Sequence, residues 1–186
     1  SLFSISLDFP DERHDGCREI PGLYAHMNEI IPYLIKKYGR GNIVMNSALT
    51  HENFDTIPGL VENAARWGTQ ISFSAYSALR TGDRSLCIEK PEDLAVLRKH
   101  FDWLKAHRKT SSVVMNSEWI LDQTYRFFAE GGMGGCQAGK RFVVVRPDGL
   151  YNGCSMFPDL QYASRKEAVD GFKATRESCD QCYVAI

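Results

Sequence analysis

The sequence predicts an α/β fold with a parallel sheet, followed by a small unit made of a β-hairpin and a helix. Three observations carry this expectation. Runs of β-formers alternate with helical stretches of about fifteen residues, the pattern of βα units. A glycine-rich run, Gly131-Gly132-Met133-Gly134-Gly135, ends that alternation. Four of the six cysteines then crowd into the remainder of the chain.

The first segment, Ser1 to Asp8, reads as a strand with no methionine or polar lead-in, so the chain is expected to begin mid-protein. A polar loop is expected over residues 10–16. Ile20, Leu23, Met27, Ile30, Ile31, Leu34, Ile35 and Tyr38 then recur at helical spacing up to Gly39. Pro32 lies inside that pattern and should kink or split the helix. Ile43-Val44-Met45 is a strand. Leu60, Val61, Ala64, Ala65 and Trp67 mark a second helix, stopped by Gly68, and Ile71 to Tyr76 forms a third strand. Pro91 suits a first helical turn, and Leu94, Leu97, Phe101 and Leu104 form the stripe behind it. Val113-Val114-Met115 reads as a short strand before a helix bearing Ile120, Leu121, Thr124, Phe127 and Phe128. The tetrapeptide VMNS occurs twice, at 44–47 and 114–117, which is read as shared strand-to-helix geometry rather than duplication.

Beyond the glycines, residues 141–154 read as a hairpin. Its turn, Arg146-Pro147-Asp148-Gly149, suits a type I turn followed by a left-handed glycine. Ser164-Arg165-Lys166-Glu167 is a capping box opening a last helix.

Bulk properties exclude more than they assign. With 186 residues, 44% of them hydrophobic, the chain can bury a core. A net charge of −1 with no basic stripe argues against a nucleic-acid partner. No apolar run reaches the ~18 residues of a membrane span, and no signal-peptide pattern opens the chain. A cytoplasmic, reducing setting is therefore expected, with metal ligation preferred over disulfides for the clustered cysteines.

Cys136 and Cys154 stand at the two feet of the hairpin, and Cys179 and Cys182 form a Cys-x-x-Cys pair. Four thiolates suit tetrahedral zinc or a [4Fe–4S] cluster, and spacing does not separate the two. Cys17 and Cys87 are isolated and read as buried structural thiols. The five histidines show no metal spacing, and none is assigned a catalytic role. Asp148 and Asp159 flank the cysteines, with Asp148 already explained as a turn residue.

The order Cys136-x12-Gly149-x4-Cys154, then Cys179-x2-Cys182, resembles the auxiliary-cluster region of radical S-adenosylmethionine enzymes. It is most similar to the short form called the twitch domain; the longer SPASM form adds further cysteines after the Cys-x-x-Cys. Upstream, SISLDF with HDGCR resembles that family's fourth strand and its loop, NSALTHEN the fifth strand's end, and WGTQISFSAY the sixth strand. The family's Cys-x-x-x-Cys-x-x-Cys signature is absent from the sequence.

The resemblance implies that residues 1–130 are the C-terminal half of a partial (β/α)6 barrel and 131–186 an auxiliary-cluster subdomain. It implies cofactor contacts from Ser6 (ribose), Asp8, Arg18 (carboxylate) and Asn46, and cluster ligation by Cys136, Cys154, Cys179 and Cys182. The expected function is the latter part of an oxidoreductase or maturase, inactive alone. It would carry an auxiliary [4Fe–4S] cluster, with S-adenosylmethionine bound only in the complete protein and an unnamed peptide or small molecule as substrate. The alternative is a zinc- or cluster-bearing interaction or electron-transfer module. The missing half-barrel is the implied partner. Without it, the first strand is expected to be an open edge that drives self-association, its inner face and that of Ile43–Met45 losing apolar cover.

Overall fold

A computed structural model describes residues 2–180 and Cys182; Ser1, Gln181 and residues 183–186, where the first strand's start, part of the Cys-x-x-Cys and the chain's end were read, lie outside them. The chain divides into two compact units. One holds Ser1–Tyr76 and Ile88–Tyr125, the other Ser77–Cys87 and Arg126–Ile186.

The first unit is a mixed α/β body around three parallel strands, β1 (Phe3–Ser6), β2 (Ile43–Leu49) and β3 (Gln70–Ala75), in that spatial order. Helices α2 (Leu23–Tyr38) and α3 (Ile57–Trp67) follow β1 and β2, as parallel strands require a crossover. Side chains alternate along each strand. Leu7, Ile43, Met45, Ser47, Leu49, Ile71 and Phe73 alternate onto one face and are buried. The opposite face is small and polar: Ser4, Ser6, Asp8, Asn46, Ser72 and Ser74. Val44 is its buried apolar exception. Ile43, Val44 and Met45 are all buried, so none of the three lacks the cover expected to be missing. Exposed apolar groups sit instead at the β1 edge, where Phe3 is 63% exposed.

Several element boundaries differ from expectation. The loop placed at 10–16 contains a short helix, α1 (Arg13–Arg18), because Asp11 turns back to take the Arg13 N–H at 3.0 Å and starts the turn. The next helix begins at Leu23 rather than Ile20, since Gly22 at φ 77° breaks the path and Asp15 accepts from the Gly22 and Tyr24 N–H groups. That helix runs unbroken through Pro32. Gly68 closes α3 at φ 76° as read.

After α4 (Pro91–Arg108), residues 113–115 do not form a full strand. Val114 makes a single parallel bridge to Ile71, and Asn116 finishes the edge, accepting from Phe73 N at 2.7 Å and donating to Phe73 O at 2.8 Å. An amide side chain thus replaces the next strand residue. The helix α5 (Glu118–Glu130) comes after it.

The second unit holds an antiparallel sheet of β4 (Val144–Val145), β5 (Tyr151–Asn152) and β6 (Gln161–Tyr162), the last unforeseen. Between β4 and β5 the turn is as read: Gly149 has φ 84° and donates to Arg146 O at 3.0 Å, and Arg146 N reaches Leu150 O at 2.9 Å. Ser164 caps α6 (Arg165–Gly171) by accepting from Glu167 N at 3.2 Å. The single last helix is two, because the chain bends at Phe172 before α7 (Lys173–Ser178).

Candidate metal centre and strand-end face

In the second unit the two hairpin feet lie together. Cys154 is buried with Ala138 and Phe172, and Cys136 packs against them. Each sulfur accepts a backbone N–H from two residues further on: Ala138 to Cys136 Sγ, and Met156 to Cys154 Sγ, both at 3.4 Å. Such N–H donors stabilise sulfur as its charge grows, the tuning that thiolate-held metals use. Burial pushes the Cys154 thiol up; the Met156 N–H opposes this, and the neighbouring Cys136 adds to it.

Residues that sequence reading did not single out build this corner. Asn152, buried on β5, directs its amide at the carbonyls of Phe157, Pro158 and Leu160 at 3.3, 3.1 and 3.0 Å, closing the loop after Cys154. Gly153 lies under the Phe172 ring, where a Cβ would meet Cγ at 2.1 Å. Gly139, at φ 70°, takes the same ring from the other foot. A glycine beside a turn reads as turn chemistry, so only the fold reveals these contacts.

Cys182 is buried, and half-buried Cys179 lines a cleft of 420 Å³ with Leu79, Phe157, Ala174, Thr175, Ser178 and Asp180. Among the described residues, no three His, Cys, Asp or Glu side chains are grouped to hold a metal ion. The two thiols of the hairpin feet thus fit half of a four-thiolate set, in donor chemistry and in shielding. Among the described residues, neither Cys179 nor Cys182 joins them in a group of three potential ligands. Asp148 is spent on the turn: it accepts from Leu150 N at 3.1 Å and from Arg146 Nε, and these bonds hold its carboxyl below the usual range.

In the first unit, Ser6, Asn46 and Ser72 form one row across the three strands on the polar face. The Ser72 hydroxyl donates to Asn46 Oδ1 at 3.0 Å. Asp8, next on that face, is buried and pairs with Arg18, whose Nε donates to Oδ2 at 2.7 Å. Arg18 therefore reaches any ligand carboxylate only with nitrogens that Asp8 leaves; its side chain is 39% exposed. Asn53, buried, joins the strand ends by donating to Asp8 O and Ala48 O at 3.1 and 3.0 Å while accepting from Thr50 N. It lies in the NSALTHEN stretch, where nothing in the spacing distinguishes it.

Cys17 is exposed rather than buried, with Sγ 3.8 Å from Asp8 Oδ2; partial burial and that carboxylate raise its thiol pKa. Among the described residues, no helix is long and apolar enough to cross a membrane. No protein-family model matches this sequence, and no curated protein matches it.

Proposed function

We propose that the chain is the C-terminal part of a radical S-adenosylmethionine oxidoreductase or maturase, bearing an auxiliary [4Fe–4S] cluster in its second unit. The observation that carries the reading is the pair of hairpin-foot thiols, gathered in a shielded corner with one backbone N–H on each sulfur. Cys136 and Cys154 would supply two ligands and Cys179 and Cys182 the other two, drawn in when the metal binds. When bound, such a cluster accepts an electron or holds substrate. This chain's own residues would bind it, keep water from it and donate backbone N–H groups to the ligating cysteine sulfurs.

The polar strand-end face supports the second half of the reading. Ser6 and Asn46 offer a hydroxyl and an amide at one level, as a ribose requires, and Arg18 stands nearby, steadied by Asp8. S-adenosylmethionine cleavage needs the three-cysteine signature that the sequence lacks, so this chain alone is inactive. The partner is the preceding half-barrel; in its absence the chain self-associates through β1.

The same N–H-to-sulfur geometry serves zinc equally well, and supports an alternative in which the second unit is a zinc-stabilised interaction module. Anaerobic reconstitution with iron and sulfide, then metal analysis, separates the two. About four irons and four sulfides per chain support the cluster. One tightly held zinc, with no iron uptake, overturns it.

A further inference from the structure

Phe172 occupies the bend between α6 and α7, and its ring is 1% exposed. The ring bridges both hairpin feet. On one side it lies against Gly153, the residue before Cys154, so closely that a Cβ there would stand 2.1 Å from Cγ and 2.6 Å from Cδ1. It also lies against Gly139, three residues after Cys136, where a Cβ would stand 3.2 Å from Cδ1. Phe157, three residues after Cys154, meets it edge-on, with ring centroids 5.7 Å apart. The position is fixed from the backbone as well: Phe172 N donates to Ala168 O, and Arg176 N to Phe172 O.

We propose that Phe172 is the shield of the thiol pair, the residue that controls how fast water and oxidants reach Cys136 and Cys154. The inference rests on the metal-centre reading for its consequence, but the shielding itself needs no metal. A planar ring without polar atoms packs on Gly153 and Gly139 beside buried Cys154 and half-buried Cys136, and takes no hydrogen bond from the Ala138 and Met156 N–H groups, which stay directed at the sulfurs. The dry surroundings strengthen those bonds and restrict access to whatever the sulfurs hold. Two adjoining glycines leave a slot with no side chain in it, and a branched or shorter residue in place of Phe172 leaves part of that slot to water.

The test uses the metal-free full chain and two substitutions that keep an apolar group at the bend, Phe172→Leu and Phe172→Met. Timed alkylation with iodoacetamide, read cysteine by cysteine by mass spectrometry, should show Cys154 reacting on the order of ten times faster in both variants. Cys17 and Cys87 should keep their rates, and the helical circular dichroism should not change. An unchanged Cys154 rate overturns the shield. So does a parallel rise at every cysteine, which marks general loosening.

Cobalt(II) titration then separates the inference from the reading beneath it. With both correct, wild type and variants show thiolate-to-cobalt absorption, and the variants lose it faster to a chelator. Equal loss rates with the band present count against the shield. No band in any of the proteins sinks the metal-ligand reading and leaves the shield to the alkylation result.

Discussion

At Gly153 a single added methyl group has nowhere to go. Its nearest neighbour is the Phe172 ring, itself held between two hairpin feet and the α6–α7 bend. Gly153→Ala should therefore cost about 1–3 kcal/mol through overpacking, read as a lower denaturant midpoint for the second unit. An unchanged midpoint would mean that the ring moves aside freely. The cysteines allow a second prediction at this scale. Cys154→Ala or Cys182→Ala should abolish the brown absorption of the iron-reconstituted chain, and Cys17→Ala or Cys87→Ala should leave it, because only coordinating thiolates hold the irons. If Cys17 proves indispensable and Cys182 dispensable, the ligand assignment is wrong. The thiols were legible as residue types at a spacing. The groups that shape their surroundings were not: Gly153, Asn152 and Phe172 act through contacts that neither spacing nor periodicity encodes.

Among the elements, β1 behaves least like its neighbours. Leu7 N donates to Asn46 O, so by alternation along a parallel strand the main-chain groups of Ser4 and Ser6 face away from β2. The next outward N–H, on Asp8, is not open: buried His14 accepts it at Nδ1, 3.2 Å away. His14 must be unprotonated at that nitrogen. Burial, the largest influence, lowers its pKa from 6.5, so the unfolded chain takes up a proton that the folded chain resists. Stability from this contact is complete above about pH 6.5 and falls as pH drops from there through the lowered folded value. Urea midpoints should be lower at pH 5 than at pH 7.5, with a smaller difference in His14→Gln; a midpoint that rises on acidification contradicts the capping role. Helices and strands with strong periodicity were legible from the sequence. Two departures depend on single side chains standing in for backbone, Asp11 and Asp15 around α1 and Asn116 at the β3 edge, while β6 is too short, at two residues, to show a period.

For the whole chain, the outer edge of β1 at Ser4 and Ser6, unpaired among the described residues, flanked by exposed Leu2 and Phe3 and carrying no charged side chain, is a template for pairing. Light scattering at micromolar concentration should give a mass near twice 21.0 kDa, and Ser4→Pro, which removes one outward N–H and none directed at β2, should lower it. A monomer with a sharp unfolding transition would show that the edge is protected. With dithionite and S-adenosylmethionine the purified chain should bind weakly and release no 5′-deoxyadenosine; release would contradict its reading as a part that lacks the cleaving centre.

The most direct test of the central claim is which sulfurs a bound metal protects. After anaerobic reconstitution with iron and sulfide, the chain is alkylated briefly and each cysteine is mapped by mass spectrometry. The account predicts protection of Cys136, Cys154, Cys179 and Cys182 relative to the metal-free chain, with Cys17 and Cys87 labelled equally in both. Equal labelling of the four with and without metal would contradict it.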